Sequence, residues 1–192
     1  MLNTANTIDS LDDEQLLVLI GRGRDKIALA ELYDRYRHNL GNYLRRKMHQ
    51  DSLVDEIYND VMHLVWQKAD EYRGDSTVKT WIFGIAYRLC LERSRKESKH
   101  NQNRAGVEFD DIPSSAGEIQ KRIELNEVLR KATEKLGESH RVVIELAYFH
   151  GYNLEEIADI VESPVNTVKT RLFHARQNLR AIIGQQTAIF TV

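Results

Sequence analysis

Cysteine and proline are nearly missing from this sequence: its 192 residues include one cysteine, Cys90, and two prolines. A single thiol excludes an internal disulfide framework and any multi-cysteine zinc site. No apolar run approaches the ~20 residues a membrane span needs. No basic-then-apolar leader is visible, so the expected compartment is the cytoplasm. The chain also has no Gly-rich phosphate loop and no H-E-x-x-H, and Cys90 lies in an apolar helical context, so an enzyme has no support and no cofactor is expected. What remains, few prolines with 8% aromatic and 29% charged residues, fits an all-α protein long enough for one medium domain or two small ones.

The net charge of -2 argues at first against a nucleic-acid partner, but the distribution matters more than the sum. Between Arg88 and Arg104 six bases face two acids, and between Asn166 and Arg180 four bases face none. Acid gathers instead at Asp9 to Glu14, Asp51 to Asp60 and Glu108 to Glu118. Two basic blocks with an acidic stretch between them suggest two DNA contacts joined by a linker.

The segment Asn153 to Arg180, NLEEIADIVESPVNTVKTRLFHARQNLR, reads as a helix-turn-helix. Asn153 and Glu156 have the spacing of a capping box, and Leu154, Ile157, Ala158 and Val161 share one helical face. Ser163 and Pro164 mark a second start at about Pro164. Val165, Val168, Leu172, Ala175 and Leu179 form its expected buried face, which leaves the bases and short polar residues outward. The plain alternative is a solvated cationic face near a chain end. The tight turn and the hydrogen-bonding residues at the start of a cationic helix favour DNA.

Upstream, Ser10 with Asp13 is expected to cap a short helix that Gly21 and Gly23 end. A helix from about Lys26 to Met48 follows, with Ile27, Leu29, Leu32, Tyr33, Tyr36, Leu40 and Leu44 as its stripe. A third runs from Ser52 to Tyr72, with Ile57, Val61, Leu64, Val65 and Ala69 inward. After a polar loop around Gly74, a fourth runs from Val78 to about Lys96, with Trp81, Ile82, Ile85, Ala86 and Leu89 at core spacing. Residues 98–117 lapse into polar, turn-rich sequence and read as a flexible linker, spanning at most about 70 Å. Helices resume at Glu118 to Leu136 and at His140 to His150, the latter capped by Ser139 and stopped by Gly151. Residues 185–192 read as a tail. The expected architecture is therefore all-α, with domains at 1–97 and 118–184.

Two separated blocks resemble one family, the sigma factors of bacterial RNA polymerase, and in particular the small extracytoplasmic-function type of the sigma-70 family. DEIYNDVMHLVWQKADEY followed by STVKTWIFGIAYRLCLERSRK resembles the family's second region. GESHRVVIELAYFHGYNLEEIADIVESPVNTVKTRLFHARQNLR resembles its fourth. The resemblance implies that the domain at 1–97 binds core polymerase and the minus-ten element, and that the helix-turn-helix reads the minus-thirty-five element. It implies a factor that directs polymerase to promoters, assists melting and then leaves, with an anti-sigma factor as a candidate further partner.

Carried over residue by residue, the resemblance implies that Asp55, Glu56, Asn59, Asp60 and His63 meet the polymerase. Arg73, Asp75, Ser76, Lys79, Trp81, Tyr87, Arg88 and Arg95 would serve the minus-ten element, and Asn166, Thr167, Lys169, Thr170, Arg171, His174 and Arg176 the minus-thirty-five duplex. As bare chemistry the carboxylates are a solvated face and Trp81 is a core residue. Asp60 with His63 is half of a di-iron pattern, which also needs a second acid-x-x-His and two further carboxylates, and no metal is expected. Tyr87 and Arg88 depart from the family's Arg-Asn pair, and Glu162 and Asn166 stand where many relatives have Gly. A Glu held at positive φ would be strained, so an altered turn is expected there, whereas Asn tolerates that conformation. The rival readings are a repressor or activator that binds duplex DNA unaided, and a helical adaptor for an acidic protein.

Overall fold

The computed structural model describes residues 8–48, 51–100, 129 and 131–189. Among these residues the regular elements are helical. The chain divides into two compact units, the first the N-terminal half with Asp159–Glu162 and the second the rest of the C-terminal half.

In the N-terminal unit, α1 spans Asp13–Gly23, α2 Lys26–Lys47, α3 Asp51–Lys68 and α4 Val78–His100, with a 3-10 turn at Ala69–Glu71. The cap of α1 is not Ser10 but Asp12. Its carboxylate accepts from the Gln15 amide at 2.8 Å, and the Gln15 side chain accepts from the Asp12 amide at 3.0 Å. Gln15 can reach back to the cap where the shorter Asp13 could not complete a Glu/Gln-type box. Nor do Gly21 and Gly23 end α1: the helix runs through both, and the left-handed residue is Arg24 at φ 50°. Gly21 serves packing instead, because a Cβ there would lie 3.0 Å from the Asp70 amide nitrogen.

The core of this unit is made by Leu16, Leu17, Ile20, Leu32, Leu40, Leu44, Ile57, Val61, Val65, Ile82 and Phe83, all essentially inaccessible. Ile27, expected in the stripe of α2, is 57% exposed. It sits in the first turn beside the cap, where Asp25 accepts from the Ile27 and Ala28 amides at 2.8 and 3.1 Å. The third helix stops being α-helical at Lys68 rather than Tyr72, and the fourth continues to His100, past the expected end near Lys96.

In the C-terminal unit, α5 spans Glu138–Ile144 and runs on as a π-helical turn at Glu145–Phe149; α6 spans Leu154–Ile160 and α7 Val165–Ile189. Residues 131–134 are helical ahead of α5, and Thr133 Oγ1 donates to the Leu129 carbonyl at 2.6 Å. The rest of the helix expected from Glu118, and most of the expected linker, lie outside the described residues. So does the end of the expected tail, while α7 continues to Ile189. The cap of α5 is Gly137, so Ser139 stands inside the first turn rather than before it. Gly151, at φ 70°, ends this segment as expected.

Candidate nucleic-acid interface

The helix-turn-helix is assembled from local signals. Asn153 Oδ1 accepts from the Glu156 amide and Glu156 Oε2 accepts from the Asn153 amide, each at 2.9 Å. That reciprocal pair satisfies two orphan donors at the start of α6. The turn after α6 is closed by the Ser163 amide donating to the Ala158 carbonyl at 3.0 Å. Glu162 adopts the left-handed conformation at φ 48°, so the turn keeps the geometry in which Gly is favoured and a Glu bears its strain. Asn166 needs no such freedom because it lies in the first turn of α7. The Pro164 carbonyl accepts from the Thr167 and Val168 amides at 2.8 and 3.1 Å, which starts α7 one residue after the expected point.

Val168, Leu172 and Ala175 are buried on α7, whereas Val165 is 37% exposed and is no core residue. Asn166, Lys169, Thr170, His174 and Arg176 are exposed, and Thr167 and Arg171 are half-buried. At 3.6 residues per turn, Asn166, Thr170 and His174 make one row, while Lys169 and Arg176, seven apart, make a second row along the flank. The cations rest on neutral oxygens. Arg171 Nη1 donates to Ser163 Oγ at 3.2 Å, and Arg176 Nε donates to Tyr148 Oη at 2.7 Å with its guanidinium 5.6 Å from that ring's centre. Thr170 Oγ1 donates back to the Asn166 carbonyl at 2.9 Å. Phe173, 55% exposed on the same face, was not legible as a site residue. Its only sequence signal is a large apolar group that falls off the buried face of α7.

On the N-terminal unit, Thr77 caps α4: its Oγ1 accepts from the Thr80 amide at 3.2 Å. Trp81, Arg88 and Arg95 are seven apart and therefore share one stripe, each step about two helical turns. Lys79 and Tyr87 lie off that stripe. Arg73 and Asp75 are exposed in the loop before α4, Ser76 is half-buried beside them, and Arg88 and Arg95 are exposed. Trp81 is half-buried, with the Tyr72 ring edge-on at 5.6 Å. Packing therefore accounts for part of the indole. Burial, with Glu14 alongside, pushes the Tyr72 hydroxyl up from its ordinary range.

The α3 face is acidic and exposed at Asp55, Glu56, Asn59, Asp60 and His63. It is organised by its neighbours. Arg93 of α4 is bonded to Glu56 and stands 3.4 Å from Asp60, and this pairing raises the guanidinium's pKa. Tyr33 Oη donates to Asn59 Oδ1 at 3.1 Å, and His63 Nε2 lies 2.8 Å from the Gln67 side-chain amide. Sequence alone marked Arg93 only as one of a basic block.

The comparisons with known proteins bear on both units. Residues 32–100 match the model for Sigma-70 region 2, and residues 126–179 the model for Sigma-70, region 4. The ECF RNA polymerase sigma factor RpoE of Cereibacter sphaeroides is 31% identical over 173 residues, covering 90% of this chain and 95% of the relative. The chain belongs to the extracytoplasmic-function sigma factors of the sigma-70 family. The RNA polymerase sigma-H factor of Pseudomonas aeruginosa is 26% identical, with 86% of this chain and 90% of the relative covered. The fold is shared with CnrH, solved with the cytosolic domain of CnrY, at a TM-score of 0.67 and 22% identity over 90% of this chain and 97% of that one. It is also shared with the sigma factor RpoE of Bartonella quintana, solved with the anti-sigma factor NepR, at 0.63 and 20% over 89% and 96%. As a sigma factor the chain acts with core RNA polymerase in promoter-directed transcription initiation, as a regulatory subunit. Among the described residues no helix is long and apolar enough to cross a membrane.

Proposed function

We propose that this sigma factor reads a minus-thirty-five element through α7 and a minus-ten element through the loop 73–77 and α4, and helps hold the melted strand open. The observation that carries the reading is the face of α7. Asn166, Lys169, Thr170 and His174 project from the second helix of a helix-turn-helix, and the cations beside them lean on hydroxyls rather than carboxylates. Such a face offers donors to base edges and positive charge to phosphates, and Phe173 adds an apolar group of the kind that meets a thymine methyl.

Capture of an unpaired strand needs surfaces for bases and cations for the backbone. Trp81, Arg88 and Arg95 on one stripe of α4 supply both. The acidic face at Asp55, Glu56, Asn59, Asp60 and His63 is the proposed contact with the polymerase, where catalysis resides. Domains at 1–97 and 118–184 divide these tasks. The fold neighbours were solved with the cytosolic domain of CnrY and with the anti-sigma factor NepR, and we extend that to an anti-sigma partner for this chain, which would act in the cytoplasm with the polymerase.

The test is transcription from a library of random promoters by core polymerase with and without this chain. New start sites preceded by two shared elements at fixed spacing are the expected result. Failure to bind core polymerase in the same mixture would overturn the reading and favour an unaided repressor.

A further inference from the structure

The loop that follows the 3-10 turn is closed on itself by one side chain. Tyr72 Oη donates to the Ser76 carbonyl at 2.5 Å, across Arg73, Gly74 and Asp75. Burial and Glu14 of α1, which stands alongside this hydroxyl, raise its pKa. The ring of Tyr72 stands edge-on to Trp81. At the far end, Thr77 caps α4 through the Thr80 amide and faces Thr80 Oγ1 at 2.9 Å. Between these two anchors Gly74 takes φ 77°, which lets the chain reverse.

We propose that Tyr72 is a positioning residue that holds the loop 73–77 in its strand-binding shape before DNA arrives. The proposal rests on reading that loop as part of the minus-ten site. A five-residue loop with free ends would have to be ordered as the melted base is captured, and that ordering would weaken the capture. With the hydroxyl clamp in place the loop is already ordered. The role belongs to the hydroxyl rather than the ring, since a phenylalanine would keep the edge contact with Trp81 and lose the bond to Ser76.

The experiment uses holoenzyme rebuilt from the full chain and core polymerase, a fluorescent single-stranded oligonucleotide carrying the non-template minus-ten strand of a promoter selected from the library, and the matching minus-thirty-five duplex. Tyr72→Phe should weaken strand capture about fivefold, the size of one lost hydrogen bond, and speed amide exchange across 73–77. Duplex binding and core binding should stay at wild-type values and the thermal midpoint should fall by no more than the few degrees that one lost hydrogen bond allows, whereas a merely structural role would weaken all the binding steps together. Asp75→Ala serves as the control for the site itself. If Asp75→Ala weakens strand capture and Tyr72→Phe does not, the clamp is overturned while the minus-ten reading stands. If neither weakens it, both fall together. A loss of duplex and core binding that matches the loss of strand capture in Tyr72→Phe would also overturn the proposal, because the tyrosine would then be only a packing residue.

Discussion

The two units handle charge in opposite ways. In the N-terminal unit, two guanidiniums meet carboxylates: Arg35 bonds Asp13 at 2.9 Å and Glu31 at 2.6 Å, and Arg93 bridges Glu56 and Asp60. In the C-terminal unit, Arg171 and Arg176 rest on the hydroxyls of Ser163 and Tyr148. Hydroxyls orient a guanidinium without cancelling it. A face left positive in this way keeps its attraction for phosphate, whereas a face with internal counter-ions is held in shape and attracts less. The near-neutral total charge thus conceals a division of labour.

The sharpest way to break this comparison is at Arg171. If its charge is held in reserve for a base edge, Arg171→Ala should relax selectivity at one or two minus-thirty-five base pairs by about 1–3 kcal/mol each. Binding of the reconstituted holoenzyme to single-base promoter variants would show it. Uniform weakening across all variants would make Arg171 a phosphate contact instead.

How much of this was legible depends on how local each signal is. The box of Asn153 and Glu156 lies within one turn, and it formed as its spacing foretold. At the start of the chain two overlapping signals compete, Ser10 with Asp13 and Asp12 with Gln15, and the one ending in the longer side chain won. The altered turn expected at Glu162 did not form, since a tight turn demands positive φ whatever residue stands there. Val165 and Ile27 look like core residues by period yet stand in first turns, where the helix has only begun to meet its neighbours. The π-helical turn at Glu145–Phe149 had no signal in the sequence. The Tyr72 clamp and the Arg93 bridge depend on which helices pack together, and periodicity carries no such information.

A smaller effect is expected at the left-handed residues other than glycine among the described residues. Arg24 and Glu162 sit at φ 50° and 48°. Glu162→Gly should stabilise the protein by up to about 1 kcal/mol by removing the Cβ strain. Arg24→Gly should gain less or lose, because the Arg24 guanidinium bonds the Trp66 carbonyl at the end of α3 and lies 5.8 Å from the Trp66 ring centre. Urea melts of the two variants would separate them. Equal gains would mean that the arginine's contacts count for nothing.

The smallest effect belongs to Arg93. Its side chain is 29% exposed, and its partners Glu56 and Asp60 are 52% and 50% exposed, so water screens the bridge and Arg93→Ala should cost less than about 1 kcal/mol of stability. The functional consequence has the opposite sign. Two carboxylates one turn apart lose their internal counter-ion and present more negative charge to a cationic partner. Core polymerase should therefore bind the variant a few-fold more tightly at low salt, and the gain should fade as the Debye length shrinks below about 8 Å. A titration of labelled core polymerase at two salt concentrations would measure it. Weaker binding at both would show that the bridge shapes the acidic face more than it neutralises it, and the contrast between the two units would then lie in rigidity rather than in charge.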